Sequence, residues 1–137
     1  MGYPSYGAPI ALAAAKKCAA AAEVEALKNG WEMVIVVVDS GGNTVLLHRM
    51  DNAHLGSVYM AEEKARTAVK FRRDTKSFQD ALGQGGANLR MLAADPILPV
   101  DGGMPLIQGG KIIGAIGVSG AQGFEDAQCA LEGVAAL

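Results

Sequence analysis

The sequence predicts an α+β fold in which helices cover the apolar faces of an antiparallel sheet. Three observations carry this. Residues 32–38, Glu-Met-Val-Ile-Val-Val-Val, form a β-branched run suited to a strand buried on both faces, hence central in its sheet. Two stretches read as hairpins, one turning at Asp39-Ser40-Gly41-Gly42-Asn43 and one at Gly109-Gly110. Helical patterns fill the segments around the hairpins, so sheet and helices must pack as layers around one core.

In chain order, Ala8 to Lys28 reads as an Ala-rich helix. Its stripe is Ile10, Ala14, Cys18 and Ala22, flanked by Ala11, Ala15 and Leu27, and Asn29-Gly30 supplies a left-handed end. Residues 32–38 and 44–50 are the strands of the first hairpin. Ser57 is placed to cap a helix from Val58 to Arg73. Asp74 or Thr75 starts a short helix ending near Gly83, and Gln84-Gly85-Gly86-Ala87 breaks the chain. Leu89 to Ala94 reads as a helical turn, and Ile97 to Val100 as an extra short strand. Met104–Ile107 and Lys111–Ser119 form the second hairpin, and Phe124 to Leu137 the last helix.

Composition narrows the function classes. The chain has 137 residues, half of them hydrophobic and 19% charged. That suits one domain, residues 1–137, with a real core, and not a disordered chain. Aromatics make up only 5%, so Ala, Val, Ile, Leu and Met must build the interior. A net charge of −2 with no cationic run longer than two residues lacks the footprint of a nucleic-acid binder. The apolar stretch Ala8 to Ala22 is broken by Lys16 and Lys17, which argues against a leader peptide or a membrane span. Cys18 and Cys129 both fall in helical patterns, and a reduced, cytoplasmic protein is the plain expectation.

The chemistry-bearing residues cluster in a few places. His48-Arg49-Met50-Asp51 gathers basic, soft and acidic groups at the end of a strand. Arg49 offers a permanently charged fork for a carboxylate, which Asp51 can orient. The plainer alternative ties Arg49 to Asp51 or Asp39 as an ion pair. Lys64 borders the apolar stripe Ala61, Ala65, Ala68 and Val69, where a lysine ordinarily stretches to solvent.

The strand 111–119 is spaced by glycine. Ile112, Gly114, Ile116 and Val118 should face one way, and Ile113, Ala115, Gly117 and Ser119 the other. Gly117 marks close approach, either of a packed helix or of a flat ligand. Asp101-Gly102-Gly103 and Ser119-Gly120, at strand ends, are placed to line a mouth. No phosphate loop, dinucleotide fingerprint, nucleophile elbow or zinc spacing is present. Cys129 suits a small core hydrophobe. Glu125-Asp126 suits the start of a helix.

These residues, taken together, resemble the GlcG/HbpS-like family, whose domains also form the C-terminal part of some PduO-type corrinoid proteins. The resemblance runs from the first helix to Cys129. It rests on Asp39 with its glycine turn, Arg49-Met50-Asp51, Lys64-Ala65-x-Thr67-Ala68, Gly102-Gly103-x-Pro105 and Gly114-x-x-Gly117-x-Ser119-Gly120. It implies a profilin-like antiparallel sheet of about five strands flanked by helices. It also implies a homo-oligomer, which the Ala-rich first helix permits.

In function, the resemblance implies a module that binds haem or another tetrapyrrole such as a corrinoid, as an accessory or sensor protein. Lys64 and Thr67 then join Arg49, Asp51, Asp101, Gly102, Gly103, Gly117 and Ser119 as ligand-binding candidates. Arg49 and Lys64 would converge as an anion clamp. Haem needs an axial donor, and His48, His54, Met50 and Met60 are of the right type. Two other functions remain open. One is a small enzyme acting on an acidic metabolite, with Asp51 or Asp101 as base. The other is a non-catalytic partner within a larger enzyme complex.

Overall fold

The valine run is the spine of the molecule. In the computed structural model, which describes residues 2–137, it forms β1 (Val34–Asp39), and all its residues but Asp39 are buried. It pairs antiparallel with β2 (Thr44–Arg49) on one side and β4 (Lys111–Ser119) on the other. β3 (Gly103–Gln108) closes the far edge through its hairpin with β4, giving the order β2-β1-β4-β3.

The sheet therefore has four strands among the described residues, and the expectation of about five is corrected. The segment 97–100 is not a strand. Its backbone finds a side-chain partner instead: Leu98 N donates to Thr67 Oγ1 at 3.0 Å, and that hydroxyl donates to Pro96 O at 3.2 Å. Near the end of β1 the N-terminal segment takes up pairing. Tyr6 bridges Ile112 in parallel, with Ile112 N on Ser5 O and Gly7 N on Ile112 O, each 2.8 Å.

Among the described residues, four helices and one 3-10 helix complete the fold: α1 (Leu12–Lys28), α2 (Gly56–Phe71), α3 (Lys76–Gly83), the 3-10 helix Gly86–Ala93, and α4 (Gly123–Ala135). One sheet face, with Ile35, Val37, Leu106, Ile116 and Val118, packs with Cys18, Cys129 and the alanines of α1 and α4. Val34, Val36, Val38 and Ala115, on the other face, pack with Ala61, Ala65 and Ala68 of α2.

Two local readings change. The buried face of α1 is Ala15, Cys18, Ala19, Ala22 and Ala26, while Leu27 is 62% exposed. An alanine-rich helix has little hydrophobic contrast to orient it, so close packing against α4 decides which face turns inward. In β4, Leu106 pairs with Gly114 but Ile107 pairs with Ile112, which leaves Ile113 as an extra, bulged residue. A bulge breaks the two-residue alternation. Ile112 accordingly joins the α2 side and Ile113 the α1/α4 side, the reverse of strict alternation.

Candidate functional site

The glycines bring α2 down onto the sheet. Gly117 pairs with Gly103 across β4 and β3. A Cβ on Gly117 would fall 2.6 Å from Ala65 N and against Ala61 O. One on Gly103 would fall 2.8 Å from Thr75 Cγ2 and against Lys64 O. What approaches these positions closely is the backbone of α2. Gly103 is held further by Thr75, which is fully buried: Gly103 N donates to Thr75 Oγ1 at 2.9 Å and Thr75 N to Gly103 O at 3.0 Å.

This close approach carries Lys64 past the start of β3 into the opposite layer. Lys64 is 1% exposed. Its Nζ donates to Val118 O at 2.9 Å and to Asp126 Oδ2 at 2.8 Å, on α4. Asp126 Oδ1 accepts from Ala121 N at 2.9 Å, so both carboxylate oxygens are engaged. Gly102, at φ +123°, leaves room for the ammonium; a Cβ there would sit 2.9 Å from Nζ. Burial pushes the Lys64 ammonium down and the Asp126 carboxyl up from their ordinary values, and each charge counteracts the other's shift. Asp101 is buried beside them. Its N–H donates to Gln79 Oε1 at 2.8 Å, and burial raises its carboxyl as well. Ser119 is buried at the end of β4, opposite Val34.

Arg49 stands elsewhere. It ends β2, is exposed, and forms no ion pair among the described residues, with neither Asp51 nor Asp39. Asp39 instead closes its own turn, accepting from Gly41 N at 2.9 Å and Asn43 N at 3.0 Å. Two adjoining open cavities lie at this end of β2. One, of about 270 Å³, is lined by Glu23, Leu27, Arg49, Met50 and Asp51. The other, of about 210 Å³, shares Leu27, Met50 and Asp51 and adds Gly30, Trp31 and Glu32. Together they make one groove between the end of α1 and the end of β2.

The structure thus gathers the expected residues into two groups. Arg49, Asp51 and Met50 share the groove. Lys64, Asp101 and Gly102 form a buried cluster, with Gly103 beside it, while Thr67 anchors the loop before it. Lys64 lines neither cavity of the groove, so its ammonium and Arg49 do not converge on one open site. Among the axial-ligand candidates only Met50 lines the groove, and its Sδ accepts from Met33 N at 3.3 Å. His48 Nδ1 meets Glu23 Oε1 at 3.2 Å, and His54 is exposed in the turn before α2. No group of three or more His, Cys, Asp or Glu among the described residues is arranged to hold a metal ion.

Three participants lie outside the expected site residues. Asp126 suits a helix start, and the resemblance leaves room for a role beyond capping, but nothing in its surroundings along the chain points to a lysine 62 residues away. Its neighbour Glu125 plays the local role, accepting from Gln122 N at 3.0 Å. Trp31 and Leu27 form the apolar wall of the groove. The lone tryptophan directly after the end of α1 was the signal available for it.

Both cysteines are free and buried, and burial pushes the Cys129 thiol up to about 12. No helix among the described residues is long and apolar enough to cross a membrane.

Comparison with known proteins places this architecture. The family model described as haem degrading protein HbpS-like matches residues 10–135. Protein GlcG of Escherichia coli K12 is 40% identical over 100 residues, 73% of each chain. A double mutant of HbpS from Streptomyces reticuli superposes with a TM-score of 0.87 at 34% identity, over 97% of this chain and 90% of that one. The PduOC:haem complex gives a TM-score of 0.85 at 27% identity, over 94% and 95% of the two chains. With the family model covering nearly every element from the start of α1 to the end of α4, the chain belongs to the HbpS-like family.

Proposed function

We propose that this protein is a small-molecule binding module for a tetrapyrrole, with haem its ligand and a corrinoid the alternative, acting as an accessory or sensor protein. The observation that carries the reading is the groove at the end of β2. Arg49, which makes no ion pair among the described residues, lines the groove with an apolar wall of Leu27 and Trp31 and the side chain of Met50. A haem group asks for this combination: an apolar surface for the macrocycle, a cation for a propionate and a soft or imidazole donor for the metal. Support also comes from the haem-bound PduOC neighbour.

The fit has a definite form. Each cavity alone is small for a ligand, but joined they reach the usual range of about 300–1,000 Å³. Arg49 can hold one propionate through two parallel bonds. Glu23, Glu32 and Asp51 on the same rim disfavour a second anion there, which leaves the other propionate towards solvent. The Met50 thioether has a second lone pair besides the one that accepts from Met33 N. Haem, when bound, would supply the redox or sensing chemistry; the residues of this chain bind and orient it.

The test is a spectral titration with haemin and, separately, with cobalamin. Haemin should give a saturable shift of its main visible band at a fixed stoichiometry. Arg49→Ala should weaken binding by about tenfold or more, since a charged hydrogen bond contributes roughly 1.5–3 kcal/mol. Arg49→Lys should also weaken it, because an ammonium lacks the two-pronged contact. Saturable binding of cobalamin but not haemin would select the corrinoid. Binding of neither would reject the reading.

A further inference from the structure

A third cavity lies apart from the groove and from the buried lysine. It has a volume of about 350 Å³ and opens between the 3-10 helix and the chain that follows it, lined by Asn88, Arg90, Met91, Ala94 and Ile97. The 3-10 helix contributes no buried residue to the core. It is tied back by Asn88 Nδ2, which donates to Ala81 O at 2.9 Å, and the chain beyond it by Thr67 through Pro96 O and Leu98 N.

The lining differs electrically from that of the groove. Both cavities of the groove carry carboxylates, from Glu23, Glu32 and Asp51. The third carries none. Its single charged residue is Arg90, which is exposed and makes no ion pair among the described residues. The rest of its charge-free lining is apolar apart from Asn88. Met91 adds a flexible thioether chain that adapts to the shape of an apolar guest.

We infer that this cavity binds a monocarboxylate with a medium-length apolar tail, the carboxylate on Arg90 and the tail against Met91, Ala94 and Ile97. Charge complementarity selects the anion: a planar guanidinium pairs with a carboxylate through two parallel hydrogen bonds, and no carboxylate lines the cavity beside it. Size selects the tail. The volume stands at the lower end of the range for ligand pockets, which suits a single chain better than a macrocycle. The site is separate from the tetrapyrrole groove, and the two can be tested independently.

Isothermal titration with octanoate, with octylamine and with 1-octanol decides it on the whole chain. Octanoate should bind saturably at one site, and octylamine should not. Arg90 is exposed, so Arg90→Gln should fold normally; it should weaken octanoate by about tenfold or more, and Arg90→Lys should restore part of the loss. Amide shifts in the nuclear magnetic resonance spectrum should centre on residues 88–97. Arg49→Ala should leave octanoate binding unchanged, and Arg90→Gln should leave the haemin titration unchanged. The inference is overturned if octanoate gives no saturable binding at millimolar concentration, if octylamine or octanol binds as well, or if Arg90→Gln binds octanoate like the unaltered chain.

Discussion

Lys64 and Asp126, 62 residues apart in the chain, meet at 2.8 Å with side chains 1% and 4% exposed. The bond joins α2 on one face of the sheet to α4 on the other, around the end where β3 begins. A buried ion pair costs desolvation on both sides, and its value depends on completing every hydrogen bond. Val118 O gives the ammonium a second acceptor and Ala121 N engages the other carboxylate oxygen.

Removing one partner should therefore be worse than removing both. Lys64→Met leaves a buried carboxylate, and Asp126→Leu leaves a buried ammonium without its counter-charge. Each should lose roughly 3–5 kcal/mol. The double variant Lys64→Met/Asp126→Leu should lose less than either single variant. Urea unfolding of all four proteins measures the coupling, and strict additivity would show that the pair is not a unit.

Asp101 gives the pH prediction. Burial raises its carboxyl above the ordinary value of 3.8 in the folded protein. The folded state then binds the proton more tightly than the unfolded one. The group destabilises the fold above the raised pKa, and this penalty fades as the pH falls towards 3.8. Asp101→Asn removes the penalty. Its stability advantage over the unaltered chain should be greatest near neutral pH and shrink on acidification, read from denaturation midpoints at several pH values. An advantage that grows in acid would contradict the assignment.

Gly117 has no space for a side chain. The nearest neighbours of an added Cβ are backbone atoms of α2, which cannot turn aside. Gly117→Val should lower stability by about 1–3 kcal/mol or more, despite the preference of valine for strands. Gly117→Ala should also destabilise. A thermal melt that does not fall would mean that α2 stands off from β4.

The outer faces of α1 and α4 leave Val24, Phe124 and Leu131 at 57–71% exposure. We propose that a second copy covers this surface, giving a homo-oligomer with a dimer as its minimum. Light scattering at micromolar concentration should report a mass of at least twice the 14.1 kDa of the chain. Leu131→Glu should shift it towards the monomer, and a monomeric unaltered chain would reject the proposal.

Much of the fold is legible residue by residue because its causes are local. The valine run, the glycine turns of the two hairpins and the helical segments lie in the right order, with boundaries mostly within a few residues. The close approach at Gly117 is also written locally, as a missing side chain in a strand. The groove is half legible, since Arg49, Met50 and Asp51 are neighbours in sequence.

What the sequence alone determined about this protein is therefore its set of elements, its family and the residue types available for a ligand. Tertiary structure decided the rest. The inward face of α1 depends on α4, because alanine on every side carries no directional signal. The facing of Ile112 and Ile113 depends on a bulge opposite β3. Residues 97–100 have strand-like composition but satisfy their backbone on Thr67. Lys64, which by local rules should reach water, is buried because Gly102, Val118 and Asp126 build a polar niche for its ammonium. Each of these outcomes is set by residues distant in the chain, and short-range patterns do not encode long-range hydrogen bonds.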